Sequence, residues 1–226
     1  FVSLLFIIFV PLKLYTMIKD NLNIIRETIP SDVTLIAVSK TKPVSDLQEA
    51  YEANQRIFGE NKALEMRDKY QELPKDIQWH FIGHLQTNKL KMVLPYVSLV
   101  QSVDSVRLLE AIDKWGAANG KVVNVLIECH VAVEESKQGF SEEELIGLLS
   151  SDVHYANVRI CGIMGMATFT DDENVIRSDF QRLLDRQQTL YDWLGESPNV
   201  RPGCNELSMG MSDDYPIAVE MGSTIV

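Results

Sequence analysis

The chain has 226 residues, 46% of them hydrophobic and 23% charged, a composition that suits one large or two small globular domains. Twenty-one Lys and Arg against 32 Asp and Glu give a formal charge of −11; such an acidic surface repels phosphate backbones and argues against a nucleic-acid partner. Cys129, Cys161 and Cys204 are odd in number, far apart and free of any C-x-x-C pair, which fits a reducing, cytoplasmic setting and neither a disulfide framework nor a zinc site.

The chain opens on an apolar run, Phe1–Val10, which is too short to span a bilayer and has no basic segment before it. Met17 begins a polar, amphipathic stretch that looks like a natural start, so residues 1–16 are expected to be upstream sequence and no membrane partner is expected. A signal sequence or anchor is the alternative. From Thr34 onward, short apolar runs alternate with helical patterns. Strands are predicted at Thr34–Ser39, Arg56–Gly59, Gln78–Ile82, Ser98–Ser102, Val122–His130, Arg159–Met164, Asn205–Ser208 and Ser223–Val226. Helices are predicted around Val44–Asn54, Lys62–Glu72, Thr87–Leu94, Ser105–Asn119, Glu142–Ser150 and Asn174–Leu194. Ser141 and Glu144 have capping-box spacing, and Pro43, Pro95 and Gly120 fall at element ends.

Strands alternating with helices imply right-handed crossovers and a parallel sheet. Eight of them favour a closed (β/α)8 TIM-type barrel over an open doubly wound sheet, whose G-x-G-x-x-G and G-x-x-x-x-G-K-[ST] signatures are missing. No linker, repeat or low-complexity tract divides the chain, so residues 17–226 read as a single domain.

Lys40 closes the first strand, Thr34-Leu-Ile-Ala-Val-Ser-Lys40, just before Thr41-Lys42-Pro43. The carboxyl end of a parallel strand is where α/β folds place their chemistry. Alternation puts Lys40 on one face with Ile36 and Val38, where lost hydration would favour the neutral, nucleophilic amine. Alone, the position better suits a lysine leaving the strand into solvent, since lysine is seldom buried without a reason. Polar residues and glycines also end other strands: Phe58-Gly-Glu-Asn61, Trp79-His-Phe-Ile-Gly-His84, Gln101-Ser-Val-Asp-Ser105, Gly162-Ile-Met-Gly-Met166 and Leu207-Ser-Met-Gly-Met-Ser-Asp-Asp214. In a barrel they converge on the rim that carries Lys40.

Ser208, Gly210 and Ser212 form a turn ahead of Asp213–Val219, which can start a helix; backbone N–H groups there suit a phosphate, although a plain Gly-Ser loop with an N-cap fits too. His80 and His84 would share a strand face, and with no third ligand a metal is not expected. One of them is read as a satisfied core histidine or a supporting hydrogen bonder. Glu134-Glu135 and Asp171-Asp172-Glu173 read as solvated loop charge, and Met164, Met166, Met209 and Met211 as packing.

Val38-Ser-Lys-Thr-Lys-Pro43, Phe58-Gly-Glu-Asn61, Trp79–Lys89, Gln101–Ser105 and Leu207–Asp214, in order over Met17–Val226, resemble the pyridoxal phosphate homeostasis proteins (the YggS/PROSC group). That family is similar to the N-terminal barrel of alanine racemase without its β-rich second domain. The resemblance implies pyridoxal 5′-phosphate held as an internal aldimine on Lys40, with Ser208, Gly210 and Ser212 in a phosphate cradle and Asn61 and His80 in the pocket. It also implies an Arg-Ile-Gly-Thr type segment and a last helix after Gly222-Ser-Thr-Ile-Val226, where this sequence stops. The barrel is accordingly expected to be truncated in its last βα unit, with weaker cofactor binding and an exposed seam.

The resulting expectation is a monomeric, non-catalytic protein that buffers the cofactor and delivers it, with cofactor-requiring apo-enzymes as possible recipients. The alternatives are an amino-acid racemase on the same barrel, which needs acid/base groups on both substrate faces, and a barrel that binds another phosphorylated metabolite without an aldimine.

Overall fold

A computed structural model of the protein describes residues 17–132, 138–200 and 202–226. Among these, seven parallel strands form one sheet in chain order: β1 (Ala37–Val38), β2 (Ile57–Glu60), β3 (Gln78–Phe81), β4 (Val97–Val103), β5 (Val123–Glu128), β6 (Val158–Met164) and β7 (Glu206–Ser208). Helix α1 (Ile18–Thr28) precedes β1. The crossovers carry α2 (Val44–Glu52), α3 (Ala63–Glu72), α4 (Leu90–Val93), α5 (Val106–Asn119), α6 (Glu142–Leu149) and α7 (Glu173–Asp192), and α8 (Tyr215–Glu220) follows β7.

Near-continuous aliphatic strands are required here because the sheet is covered on both faces. One hydrophobic cluster fills the space between sheet and helices, with Phe58, Trp79, Phe81, Leu109, Phe140 and Phe180 among its buried members. A second, smaller cluster joins Ile36, Leu99, Leu126, Met164 and Ile225. Residues from opposite ends of the strand order meet in it, so the sheet curls around this inner core.

The last residues lie between the two edges of the strand order. Ile225 bridges in parallel to both Thr34 and Ser208. On one side the amides of Thr34 and Ile36 donate to Thr224 O and Val226 O, each at 2.8 Å; on the other, Met209 N–H donates to Ile225 O at 3.2 Å. Ile225 is buried, so the seam expected to lie exposed is covered at this point.

The predicted elements are met in order with shifted ends, except that the expected eighth strand, Ser223–Val226, makes isolated bridges rather than a regular strand, so seven strands of the expected eight form the sheet. The first strand pairs regularly with β2 only at Ala37 and Val38; before them the Leu35 carbonyl accepts from the Gln55 side chain, and the amides of Thr34 and Ile36 donate to the last segment. The predicted helix Thr87–Leu94 splits into a 3-10 turn at Thr87–Lys89 and the short α4. The capping box is formed as expected, with Ser141 and Glu144 bonding reciprocally at the start of α6. No helix among the described residues is long and apolar enough to cross a membrane.

Candidate functional site

The carboxyl ends of the strands carry the polar residues that the sequence singled out. Lys40 stands in a turn one residue beyond Ser39, and it is exposed rather than lodged among aliphatic side chains. Val38, on the same strand face, is 50% exposed. The expected desolvation of Lys40 is therefore corrected: regular pairing stops at Val38 and the chain turns away at Thr41, whose φ is +65°. The result is a primary amine open to water at the mouth of the curled sheet.

The residues on either side of Lys40 are fixed from beneath. Ser39 is buried; its carbonyl accepts from Lys69 Nζ at 2.7 Å and its hydroxyl donates to Glu60 Oε1 at 2.7 Å. Lys69 also donates to Glu60 Oε1 and Glu65 Oε1, both at 2.7 Å, and Glu65 Oε1 accepts the Thr41 N–H at 2.6 Å. Burial pushes the Glu60 carboxyl above its ordinary value, against the opposing pull of Lys69 and Ser39. Glu65 feels a smaller burial effect, and hydrogen bonds from Lys69 and Thr41 bring it below the ordinary range.

His80 of β3 is buried, and its Nδ1 lies 2.9 Å from Gln101 Nε2 of β4. Gln101 Oε1 in turn accepts the Ser208 hydroxyl of β7 at 2.9 Å. This three-residue chain crosses the inner face below the mouth. Burial lowers the His80 pKa to about 4, which keeps the ring neutral near pH 7 and able to accept the Gln101 amide proton. His80 is thus the satisfied core histidine that the sequence allowed for.

His84 does not share its surroundings. It is exposed beyond β3, with Nδ1 2.7 Å from Asp104 Oδ2. Glu128, at the end of β5, is buried nearby; burial foremost, then the Asp104 charge, push its carboxyl up to about 7 while His84 pulls it down. Sequence reasoning passed over Glu128, although a lone acid within the apolar run Val122–His130 is a signal it could have used. Among the described residues no group of three or more His, Cys, Asp or Glu could hold a metal.

The Ser208–Ser212 turn takes up its amides alternately. Met209 N–H donates to Ile225 O, and Met211 N–H donates to Asp214 Oδ1 at 2.5 Å. No hydrogen bond engages the Gly210 and Ser212 amides among the described residues. Gly210 has φ +101°, and a Cβ there would lie 2.7 Å from Ala218 Cβ, so the turn requires glycine. Its two serines separate: Ser208 is buried with its hydroxyl in the inner chain, whereas Ser212 is exposed. The helix beyond begins at Tyr215, later than predicted, because the Asp214 side chain closes the turn on Met211.

Asn61 directly follows β2, and its Oδ1 is shielded from solvent with no hydrogen-bond partner among the described residues. It lines a cleft of about 420 Å³ together with Lys62, Phe81, His84, Gln86 and Lys89. Glu65, which bonds Thr41 N–H, also lines that cleft, whereas Lys40 and the Ser208–Ser212 turn do not. Lys40, Asn61, Gly210 and Ser212 thus follow the carboxyl ends of β1, β2 and β7, while His80 and Ser208 are joined through Gln101. Glu134 and Glu135 lie outside the described residues.

Comparison with known proteins places this geometry in context. Residues 15–225 match the model of the alanine racemase N-terminal domain family. The chain is similar to the pyridoxal phosphate homeostasis protein of Aquifex aeolicus, at 37% identity over 193 residues, or 85% of this chain and 82% of that protein. Among solved structures it resembles PipY of Synechococcus elongatus PCC7942 with PLP bound, at TM-score 0.81 and 31% identity over 92% of this chain and 95% of that one. An alanine racemase of Bartonella henselae matches at TM-score 0.66 and 15% identity, over 92% of this chain and 55% of the racemase, a likeness of fold alone.

Proposed function

The chain belongs to the alanine racemase N-terminal domain family and, within it, to the pyridoxal phosphate homeostasis proteins, and we propose that it binds pyridoxal 5′-phosphate at the strand ends around Lys40, to buffer and deliver it. One observation carries the reading: an exposed primary amine and a turn with two open backbone amides stand at the same end of the sheet. Only the Ser223–Val226 segment separates their strands, which amounts to two ladder spacings, or roughly 10 Å. A lysine side chain and a pyridine ring with its phosphate arm together cover that distance. On this reading the segment is the eighth strand of a single-domain (β/α)8 barrel spanning residues 17–226.

When bound, pyridoxal phosphate supplies an aldehyde that a primary amine captures reversibly and a phosphate dianion. Lys40 is assigned the amine. The Gly210 and Ser212 amides, with the Ser212 hydroxyl, are assigned the anion, since they are the N–H groups of this turn left unengaged on either side of Met211, whose own N–H is taken by Asp214. The orphaned Asn61 Oδ1 fits a ring substituent that can donate a proton. Ser208 and His80 are assigned support, because Ser208 spends its hydroxyl proton on Gln101 and His80 lies in the same chain.

A carrier is favoured over a racemase. The relatives are named for homeostasis, and racemisation needs an acid/base group on each substrate face. His80, lowered to about 4 and hydrogen-bonded beneath the mouth, is poorly placed for either part. The free thiols of Cys129, Cys161 and Cys204 suit a reducing, cytoplasmic setting, and the protein is proposed to be a monomer with cofactor-requiring apo-enzymes as recipients.

The test is titration of the purified protein with pyridoxal 5′-phosphate. An absorption band near the visible edge is expected with the native chain and absent in Lys40→Ala. If the native chain gives no band, the cofactor assignment fails. Exchange of amino-acid α-protons at a rate above that of free cofactor would favour the racemase.

A further inference from the structure

We propose that Glu65 and Lys69 of α3 are positioning residues for Lys40, holding the turn that presents its amine in a backbone conformation it would not keep unaided. The inference rests on the assignment of Lys40 above and deepens it. An ammonium has three N–H donors, and those of Lys69 go to Ser39 O, Glu60 Oε1 and Glu65 Oε1, all at 2.7 Å. The same cluster takes the Ser39 hydroxyl through Glu60 and the Thr41 amide through Glu65. Lys40 thus lies between two residues that are both bonded to one ion cluster, the preceding one by carbonyl and hydroxyl, the following one by its N–H.

What the cluster holds is an unfavourable shape. Thr41 has φ +65°, and a β-branched residue in the left-handed region persists only where its surroundings impose it. Its own hydroxyl bonds to the Lys40 carbonyl, leaving the Glu65 contact as the tie between Thr41 and the rest of the fold. A buried ion pair contributes little net stability compared with apolar packing. Lys69 is 5% exposed and Glu60 fully buried, and their geometry fits specification of one turn better than bulk stabilisation.

Lys69→Met leaves the buried Glu60 carboxylate unpaired and can unfold the chain, so it is a poor probe. Glu65 is only partly buried, and Glu65→Ala keeps the helix while removing the bond to Thr41. Apparent affinity for pyridoxal 5′-phosphate is read from the visible-edge absorption of the native chain, Glu65→Ala and Glu65→Ala/Thr41→Gly, with borohydride trapping and mass analysis to locate the label. Glu65→Ala is expected to bind about tenfold more weakly, corresponding to the lower part of the range for one strained residue. Thr41→Gly should restore affinity to within about twofold, because glycine adopts positive φ without strain. Unchanged affinity in Glu65→Ala, or a loss that Thr41→Gly leaves in place, overturns the proposal. In cofactor-free protein, Thr41 amide exchange should accelerate at least about tenfold in Glu65→Ala. Equal exchange rates refute the positioning role even if the native chain binds no cofactor.

Discussion

Glu128 offers a direct measurement of the charge balance at the mouth of the sheet. Its carboxyl is pushed up from 4.5 to about 7, by burial first and the Asp104 charge second, with His84 opposing. A folded value above the unfolded one means that the native state holds this proton more tightly. The stability so conferred is fully present below pH 4.5 and is lost as pH rises through about 7. At about 1.4 kcal/mol per pKa unit, the whole span corresponds to about 3 kcal/mol, of which about 2–3 kcal/mol lies between pH 5 and 8. Glu128→Gln keeps the shape and removes the titration. Unfolding free energy of the cofactor-free protein is measured in urea at both pH values, and groups common to the two proteins cancel in the difference. The variant should gain about 2–3 kcal/mol on the native chain between pH 5 and 8, or roughly 4–12 °C in melting temperature for a chain of this size. A difference that stays constant within about 0.5 kcal/mol refutes the account of Glu128 as a buried acid facing Asp104.

Gln101→Leu tests the inner chain. It leaves His80 Nδ1 and the Ser208 hydroxyl buried without partners and should cost roughly 2–5 kcal/mol, read as a lower melting temperature; a loss below about 1 kcal/mol would show that water replaces the amide. Gly210→Ala forces a Cβ against Ala218 at positive φ and should cost roughly 1–3 kcal/mol, together with weaker pyridoxal phosphate binding by absorption titration. Native-like affinity in that variant would remove the turn from the anion site.

The order of elements was legible because parallel strands covered on both faces leave uninterrupted aliphatic runs, and because breakers such as Pro43, Pro95 and Gly120 mark their ends. Lys40 was found for the same reason. Its exposure was not legible, since that depends on the backbone of Thr41 and on where pairing with β2 stops. The two serines of the Ser208–Ser212 turn look alike in sequence, yet Gln101, more than a hundred residues away, takes one of them out of the mouth. Lys69 is hidden more thoroughly. At i+4 from Glu65 it reads as an ordinary surface pair, and only the sheet brings Ser39 and Glu60 to its ammonium.

Under the proposed function, these placements bear on why a curled parallel sheet of this kind would carry a cofactor rather than use it. Catalysis at a lysine-bound cofactor gains from excluding water and from keeping the amine in a low-dielectric pocket. Lys40 has neither condition: it is exposed, with half-exposed Val38 beside it, and the buried, tightly bonded groups lie below and behind it. Water that reaches the amine can also reverse capture of an aldehyde, which a donor protein needs and an enzyme avoids. Under the proposed function, the Lys69 cluster then keeps the amine oriented for capture while its exposure keeps the step reversible. The polar structure around Lys40 is invested in its backbone, and on that proposal its side chain is left free to give the cofactor up.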